Sequence, residues 1–402
     1  MKSILFVDDE RKVLDGLKRL LFPYGDEWQM EFAGGGAEAL QMLAASSFDV
    51  IVADLRMPGM DGAALLNEVA RLYPQMVRLI LSGTWEQDLR VQAAMIAHQY
   101  LSKPCDPEVL RVTLDRAFAL RDVLVDPALR ALISGTACLP STPAIYSEII
   151  QVLRSPEASA QQIGSILAKD MGMTAKVLQL VNSSFFGLRR HLTSPEEAVM
   201  FLGVDTIKAL ALSASAFSAF NVLKCPWFSI EGLQRHSTVV GAMAREIAKS
   251  QKVSKQFLDD TFVAGLLHDV GQLVLVCNHP DKYDRVLNAV ATGKGTIAEA
   301  ERETFGTTHA EVGGYLLWLW GLPDPVVEAV AFHHNPSGCP AGGFAPLTAV
   351  YVANMLEDSL PNDLPGAGVP LDTAYLTRAG VADAVEAWSS IAHEQRSERD
   401  AT

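Results

Sequence analysis

This sequence of 402 residues lacks any long apolar run. Its most apolar stretch, residues 262–277, is interrupted by polar residues and falls short of the roughly 18 apolar residues that a membrane-spanning helix needs. Acidic residues begin at Asp8, which is too early for the apolar region of a signal peptide. We therefore expect a cytoplasmic protein that does not associate with a membrane.

Cysteine pairs and an excess of basic side chains are also missing. The 5 cysteines show no C-x-x-C spacing, which argues against a disulfide framework and against a thiolate zinc site. Lysine and arginine number 33 against 47 acidic residues, so the net charge is −14 at pH 7. Because proteins that bind nucleic acids usually carry a basic surface, this balance argues against DNA as a partner.

The first 122 residues alternate short apolar segments with amphipathic ones. Residues 12–21, 37–45 and 62–72 have helical periodicity and separate segments that have the composition of strands. Alternating strands and helices form parallel sheets with helices on both faces, so we predict an α/β, doubly wound, five-stranded parallel sheet. The predicted strands are Ile4–Val7, Gln29–Ala33, Val50–Ala53, Val77–Leu81 and Tyr100–Ser102.

Helical periodicity replaces the alternating pattern after residue 122. We expect a helical linker over residues 123–135 and an all-α domain over residues 136–358. A tail over residues 359–402 follows, and its pattern predicts a final helix, Thr373–Gln395.

Polar side chains stand where four of the predicted strands end. Asp8 and Asp9 follow the first strand, Asp54 the third, Ser82 the fourth and Lys103 the fifth. Because the carboxyl ends of parallel strands meet at one edge of a sheet, we expect these side chains to lie together. Clustered carboxylates repel one another, and Mg²⁺ relieves that repulsion. Each residue alone has an ordinary interpretation as a solvated loop residue, but the set of five indicates a phosphoryl-transfer site.

Four motifs in this part of the chain resemble the receiver domain of two-component response regulators. They are V-D-D-E, D-L-R-M-P-G-M-D-G, L-S-G-T and Y-L-S-K-P. The resemblance implies a flavodoxin-like fold over residues 1–122 in which Asp54 is the phosphoacceptor. It also implies that Mg²⁺ is bound by Asp8, Asp9, Asp54 and the backbone carbonyl of Arg56.

The same resemblance implies a switch and a partner. Ser82 and Lys103 are expected to contact the phosphoryl group, which adds a charge of about −1.5 to −2. Tyr100 is expected to change its rotamer in response. The implied phosphodonor is a sensor histidine kinase, and we expect the protein to form a homodimer when it is phosphorylated.

Histidines concentrate in the helical part, together with one aspartate and one asparagine. The candidate ligands are His236, His268, Asp269, His309, His333, His334 and Asn354. Imidazole and carboxylate are the usual ligands of Fe, Mn, Zn and Ni, and histidine pairs on helices can hold one or two ions in a bundle core. Three ordinary interpretations stay open: an isolated core or surface histidine, a hydrogen-bonded His–Asp pair, and a histidine pair at a helix C-terminus.

The sequence around these residues resembles an HDOD domain, a noncatalytic relative of the HD metal phosphohydrolases. The motifs are L-P-S-T-P, I-L-A-K-D-M-G-M-T-A-K-V-L-Q-L-V-N-S-S-F-F-G and A-V-M-F-L-G. Against the catalytic HD-GYP relatives, the histidines and Asp269 match metal ligands. Asn354 replaces the last aspartate ligand, Gln272 replaces a lysine, and N-P-S-G-C-P replaces the G-Y-P stretch.

These resemblances imply a response regulator, and they leave two functions for the output domain. In the first, phosphorylation changes how the HDOD domain contacts a protein partner. In the second, the receiver gates a metal-dependent phosphodiesterase or phosphohydrolase of the cyclic-dinucleotide type. Retention of the histidine set keeps the second function open, and the replacements at Asn354 and Gln272 count against it.

Overall fold

The chain divides into two compact units. The first consists of residues 1–137 with the short segments 179–190 and 319–321, and the second contains the remaining residues. The computed structural model describes residues 2–83, 97–123, 129, 132–133, 140–141, 148–149, 151–152, 159–182, 191–203, 218–219, 227–340, 342–358 and 371–390.

A five-stranded parallel sheet forms the centre of the first unit. Its strands are β1 (Lys2–Val7), β2 (Trp28–Ala33), β3 (Val50–Ala53), β4 (Val77–Ser82) and β5 (Gln99–Ser102), in the order β2-β1-β3-β4-β5. This is the doubly wound order that reverses between β1 and β3, and ligands bind at such a reversal. The predicted sheet is confirmed, and each strand starts and ends within two residues of its predicted bounds.

Helices of the first unit cover the sheet and bury its apolar side chains. They are α1 (Arg11–Leu21), α2 (Gly36–Ala45), α3 (Gly62–Leu72) and α4 (Pro107–Val123). Leu5 and Ile51, on adjacent strands, are fully buried together with Leu66 of α3. Burial of each such side chain contributes about 1.5–3 kcal/mol, so the strand ends that carry the polar residues are held in a rigid frame.

The described part of the second unit is helical apart from one short strand pair. That pair, β6 (Pro140–Ser141) and β7 (Ser218–Ala219), is parallel. The named helices in the described chain after residue 123 are α5 (Ala160–Leu167), α6 (Met171–Asn182), α7 (Pro195–Leu202), α8 (Ile230–Ser250), α9 (Lys255–Leu267), α10 (Val270–Asn278), α11 (Pro280–Ala291), α12 (Ile297–Phe305), α13 (His309–Leu319), α14 (Asp324–Phe332), α15 (Pro346–Asp358) and α16 (Thr373–Arg378).

The core of the second unit forms where α8, α9, α14 and α15 pack against one another. Helices α9 and α10 together, Lys255–Asn278, are long and apolar enough to cross a membrane, and 89% of the apolar window is buried inside the protein. A buried core helix of a soluble protein has the same composition, so this stretch is weak support for a membrane span. The helical stretch is interrupted at His268 and Asp269, between α9 and α10.

The tail differs from the single helix predicted over Thr373–Gln395. Helix α16 ends at Arg378, because the N–H of Gly380 bonds to the Thr377 carbonyl and the N–H of Val381 to the Leu376 carbonyl. This pair of bonds is a Schellman motif, which ends a helix and turns the chain. A second helical segment follows over residues 385–390, and residues 391–395 lie outside the described part.

Residues 371–390 pack onto the helical unit, although the expected domain boundary at residue 358 separates them from it. Trp388 is buried and its Nε1 donates to Ser250 Oγ at 3.0 Å. The hydroxyl groups of Tyr375 and Thr348 are 2.8 Å apart. Residues 371–390 are therefore part of this core. The linker helix predicted over residues 123–135 lies almost entirely outside the described residues.

Candidate functional site

The acidic residues of the first unit meet at the carboxyl edge of the sheet. Val7 at the end of β1 is in register with Ala53 at the end of β3, so the residues that follow the two strands are neighbours. Asp8, Asp9 and Asp54 each offer a carboxylate oxygen, and these oxygens lie within 4.8 Å of one another. Hard oxygen ligands at this spacing suit Mg²⁺, so the residues present fit the ion that receiver domains bind.

Lys103 reaches this edge from the end of β5. Its Nζ lies 2.5 Å from Asp8 Oδ2 and 3.0 Å from Asp54 Oδ1, and the peptide bond to Pro104 is cis. Burial alone would lower the pKa of Lys103, but the hydrogen bonds with Asp8 and Asp54 outweigh burial and raise that pKa. The ammonium is thus a permanent internal cation between the two carboxylates.

Asp54 is largely buried at the same edge of the sheet. Its side chain is 12% exposed. Burial raises the pKa of Asp54 above its ordinary value, although the hydrogen bond and charge of Lys103 act in the opposite direction. A carboxylate that is partly desolvated and accessible can attack a phosphorus centre, provided that nearby cations balance the incoming negative charge.

The structure places the backbone of the other predicted receiver residues, but describes fewer of their side chains. Arg56 follows Asp54 in the loop after β3. Ser82 ends β4 in register with Ser102, and Tyr100 lies in β5 in register with Ile80. The side chains of Ser82 and Tyr100 lie outside the described part of the chain, so their roles stay predictions.

Gly62 is a positioning residue that the sequence reasoning did not single out. A Cβ at this position would lie 2.1 Å from the carbonyl oxygen of Asp54, a distance that real Cβ atoms do not reach. The N–H of Gly62 donates to the Leu55 carbonyl at 2.9 Å. The D-G pair at the start of α3 was the signal, because only glycine lets this helix approach the loop after β3 so closely.

Asp269 is the centre of the histidine cluster in the second unit. Its Oδ1 lies 3.0 Å from His309 Nε2 and 3.6 Å from His333 Nε2. Its Oδ2 lies 3.5 Å from His268 Nε2 and 3.9 Å from His236 Nε2. Each oxygen of the Asp269 carboxylate therefore faces its own pair of imidazole nitrogens.

The larger set has the spacing of ligands around a single ion. His309 Nε2 lies 3.3 Å from His333 Nε2 and 3.0 Å from His334 Nε2. Zinc bonds of about 2.0–2.1 Å in a tetrahedron place their donor atoms about 3.4 Å apart. Asp269, His309, His333 and His334 form one candidate group, and His236, His268 and Asp269 form the other.

Three of the histidines are held with Nε2 towards Asp269 by a bond at the other ring nitrogen. His268 Nδ1 lies 2.7 Å from the Gly265 carbonyl, and His333 Nδ1 lies 2.8 Å from the Val330 carbonyl. His309 Nδ1 lies 2.7 Å from Glu301 Oε2. Each of these oxygens accepts, so Nδ1 carries a proton in all three histidines and Nε2 is the nitrogen that faces Asp269 and could bind an ion.

The electrostatics of the cluster are uneven. Burial lowers the pKa of His268 to about 3, and the neighbouring His333 and His236 add to this, so His268 is neutral. Burial acts in the same direction on His309, but the negative charges of Glu301 and Asp269 outweigh it and raise the pKa of His309 to about 10. In the metal-free protein His309 thus carries a proton on the nitrogen that would bind an ion.

His334, Asn354 and Gln272, which the sequence singled out, differ in exposure. His334 is exposed and forms the open edge of the cluster. Asn354 is buried on α15, a helix that packs on α8, α9 and α14, and its Oδ1 has no hydrogen-bond partner among the described residues. Gln272 is buried in the first turn of α10. The five histidines thus lie together around Asp269.

Two residues of this site were missed by the sequence reasoning. Glu301 is fully buried behind His309, and nothing in its spacing from the histidines indicates that position. Gly271 lies against His309, because a Cβ there would be 2.0 Å from the His309 carbonyl oxygen. The H-D-V-G motif contained a signal for Gly271, since a glycine two residues after Asp269 permits α10 and α13 to touch.

Family models match both parts of the chain. The model described as a response regulator receiver domain matches residues 4–115, and the model described as an HDOD domain matches residues 139–336. The first match contains the acidic site, and the second contains all the candidate histidines.

Curated relatives match over parts of their length. An uncharacterized protein of Treponema pallidum is 25% identical over 58% of this chain and 44% of its own. The uncharacterized transcriptional regulatory protein YesN of Bacillus subtilis is 27% identical over 42% of this chain and 53% of its own. The transcriptional regulatory protein ZraR of Escherichia coli is 35% identical over 29% of this chain and 26% of its own. This chain spans about half or less of the length of these relatives.

Solved structures include proteins of both kinds. The MmoQ response regulator of Methylococcus capsulatus matches 63% of this chain and 98% of its own, with 23% identity and a TM-score of 0.47. An HDOD domain protein of Geobacter sulfurreducens matches 65% of this chain and 87% of its own, with 27% identity and a TM-score of 0.37. From the two family models, this chain belongs to the two-component response regulators that carry an N-terminal receiver domain and a C-terminal HDOD domain.

Proposed function

We propose that this cytoplasmic protein accepts a phosphoryl group on Asp54 from a sensor histidine kinase and that phosphorylation switches the HDOD output domain. The receiver spans residues 1–122, a helical linker spans residues 123–135, and the output domain begins at residue 136. The observation that carries the proposal is the joint placement of Asp8, Asp9 and Asp54 within 4.8 Å, with Lys103 between two of them.

The chemistry follows from the charges at this edge. A carboxylate oxygen of Asp54 forms a bond to phosphorus while the bond from phosphorus to the histidine nitrogen of the kinase breaks, and that nitrogen takes up a proton. Mg²⁺ held by Asp8, Asp9, Asp54 and the Arg56 carbonyl would neutralise charge on the phosphoryl oxygens. Lys103 supplies a second cation, and Ser82 and Tyr100 respond to the product as the switch.

Acetyl phosphate labelling of purified protein tests the phosphoacceptor. Wild type is expected to incorporate one phosphoryl group that is stable in mild acid and released by hydroxylamine, in the presence of Mg²⁺, and Asp54→Asn none. Asp15→Asn, which changes an exposed carboxylate on α1, is the control and retains labelling. Label that persists on Asp54→Asn would contradict the assignment.

The output of the phosphorylated protein is contact with another protein chain. Phosphorylation exposes or rearranges a surface of the HDOD domain for an unidentified protein partner, and the receivers pair to give a homodimer. Sedimentation with beryllofluoride, which mimics the phosphoryl group, is expected to double the mass of wild type but not of Asp54→Asn. An unchanged mass in wild type would count against dimerisation.

A metal-dependent phosphohydrolase is the second candidate function of the output domain. Asp269 faces Nε2 atoms on both sides, and three of these atoms are fixed inward by bonds at Nδ1. Histidines that only fill a core would not require their Nε2 atoms to be grouped around one carboxylate. Two divalent transition ions, among Fe, Mn, Zn and Ni, would share Asp269 and polarise a phosphate ester.

Metal content and hydrolysis together distinguish the two output functions. Mass spectrometric metal analysis of untagged wild type is expected to find stoichiometric transition metal, and the His268→Ala/Asp269→Ala double variant is expected to lose it. Hydrolysis of a cyclic dinucleotide by the loaded protein would support the enzyme. Bound metal without hydrolysis supports an interaction protein with a structural metal site, in agreement with the replacements at Asn354 and Gln272.

A further inference from the structure

Glu301 lies directly behind the histidine cluster and belongs to none of the motifs that the function uses. It is fully buried on α12. Its Oε2 accepts from the backbone N–H and from Nδ1 of His309, both at 2.7 Å, and its Oε1 accepts from the Tyr283 hydroxyl at 3.0 Å. A carboxylate with three donors in a buried position is held in one orientation.

The acceptor behind His309 differs from those behind the other two fixed histidines. His268 and His333 donate to neutral backbone carbonyls of their own helices. His309 donates to an anion. A charge-assisted bond is roughly twice as strong as a neutral one, and a carboxylate acceptor makes the opposite nitrogen a stronger base and hence a stronger ligand. His309 is thus the most basic ligand of the three.

We infer that Glu301 is a positioning residue that makes the two metal positions unequal. The position formed by Asp269, His309, His333 and His334 binds a divalent transition ion more tightly than the position formed by His236, His268 and Asp269. This inference rests on the proposed metal binding of the output domain. Donor number acts in the same direction, since the tighter position has four donors and the weaker one three.

A purely structural role for Glu301 has a distinct consequence. His309 is the first residue of α13, and its N–H has no partner within that helix, so Glu301 also caps the helix. If capping were the only role, removal of the charge would lower the stability of the whole unit and weaken both metal positions alike. A positioning role weakens only the position that contains His309.

The experiment is a two-site metal titration of the full-length protein after chelation. Co²⁺ is the probe, because its visible absorption reports ligand geometry, and a chelating dye gives the affinity of each position. We expect two ions with unequal affinities in wild type. Glu301→Gln keeps the size of the side chain and removes its charge, so the tighter affinity is expected to fall about 10–100-fold with a changed spectrum. The weaker affinity is unchanged.

Control variants separate the inference from the proposed function. Glu303→Gln, on the exposed face of the same helix, leaves both affinities at wild-type values. Glu301→Asp keeps the anion and retracts it by one methylene, so the loss is smaller and is again confined to one position. An equal fall at both positions in either Glu301 variant, or no fall at all, overturns the positioning role. Wild type that binds no Co²⁺ refutes the metal proposal itself.

Discussion

The two candidate sites balance clustered charge in opposite ways. In the receiver, the carboxylates of Asp8 and Asp54 share an internal cation, the ammonium of Lys103, and Asp9 stays exposed. In the helical unit the carboxylate of Asp269 stands among imidazoles that are mostly buried, and Glu301 lies behind one of them. The first arrangement suits an ion and a phosphoryl group that come and go. The second suits an ion that stays, because its ligands are fixed before binding.

The sharpest way to break this comparison is to remove the shared carboxylate of the helical unit. Asp269→Asn is expected to weaken both metal positions together, by more than the roughly 10–100-fold that an outer partner contributes. Metal analysis and Co²⁺ titration measure the loss. Asp281→Asn, an exposed acid on α11, is the control.

Single histidine variants show whether Asp269 really divides the cluster in two. His268→Ala removes a donor of the three-donor position only, and His334→Ala removes a donor of the four-donor position only. Each is expected to eliminate or weaken one ion and leave the other. Loss of both ions in both variants would mean that the histidines form one undivided site.

The pH dependence of stability distinguishes a proton from a metal at His309. In the folded metal-free protein the pKa of His309 is raised to about 10, so its contribution is present below the unfolded value of about 6.5 and is lost as pH rises through 10. His268 has the opposite sign. Its pKa is lowered to about 3, so stability is lost as pH falls from about 6.5 towards 3.

Urea unfolding at pH 5, 7 and 10 measures both changes in the free energy of unfolding, each on the order of a few kcal/mol at most. We call the loss of stability towards pH 10 the alkaline limb and the loss towards pH 5 the acid limb. The His309→Gln variant is expected to lose the alkaline limb and keep the acid one. Zn²⁺ is expected to abolish the alkaline limb of wild type, because the ion replaces the proton on Nε2. An alkaline limb that is unchanged by both Zn²⁺ and His309→Gln would refute this assignment.

The same contrast explains which features the sequence could predict. Strand ends in a parallel sheet place residues by topology alone, so Asp8, Asp54 and Lys103 were found from their positions after β1, β3 and β5. The histidines were found as residue types, but their grouping around the two oxygens of Asp269 depends on how helices distant in sequence pack. Periodicity carries no information about that packing.

The features that sequence reasoning missed depend on long-range contacts of single residues. Glu301 resembles any acidic residue of an amphipathic helix until α12 packs behind His309. The tail was predicted as one helix because its periodicity continues past Gly380, whereas two backbone bonds end α16 there. The hydrogen-bond partner of Trp388 is Ser250, which is distant from it in the sequence.

Gly271→Ala tests whether the histidine cluster depends on the contact between α10 and α13. A methyl group there would meet the His309 carbonyl oxygen at 2.0 Å and the Gly313 nitrogen at 2.8 Å, so the helices must move apart. We expect the free energy of unfolding of the helical unit to fall by about 1–3 kcal/mol, with weaker binding at the four-donor position. Gly342→Ala, which meets nothing within 4 Å, leaves both unchanged.

Lys103→Met sharpens the comparison from the receiver side. Removal of the ammonium leaves Asp8 and Asp54 without their internal cation, so Mg²⁺ binding is expected to become tighter, by about tenfold. Labelling by acetyl phosphate is expected to become slower, because the cation that contacts the phosphoryl group is lost. Calorimetric titration with Mg²⁺ and a labelling time course measure the two effects, with the exposed Lys12→Met as the control.

Tighter Mg²⁺ binding combined with slower transfer identifies Lys103 as a cation that competes with the metal at rest and assists the phosphoryl group during the reaction. Weaker Mg²⁺ binding would show instead that Lys103 holds the carboxylates in place for the ion, as the Nδ1 acceptors hold the imidazoles in the other site.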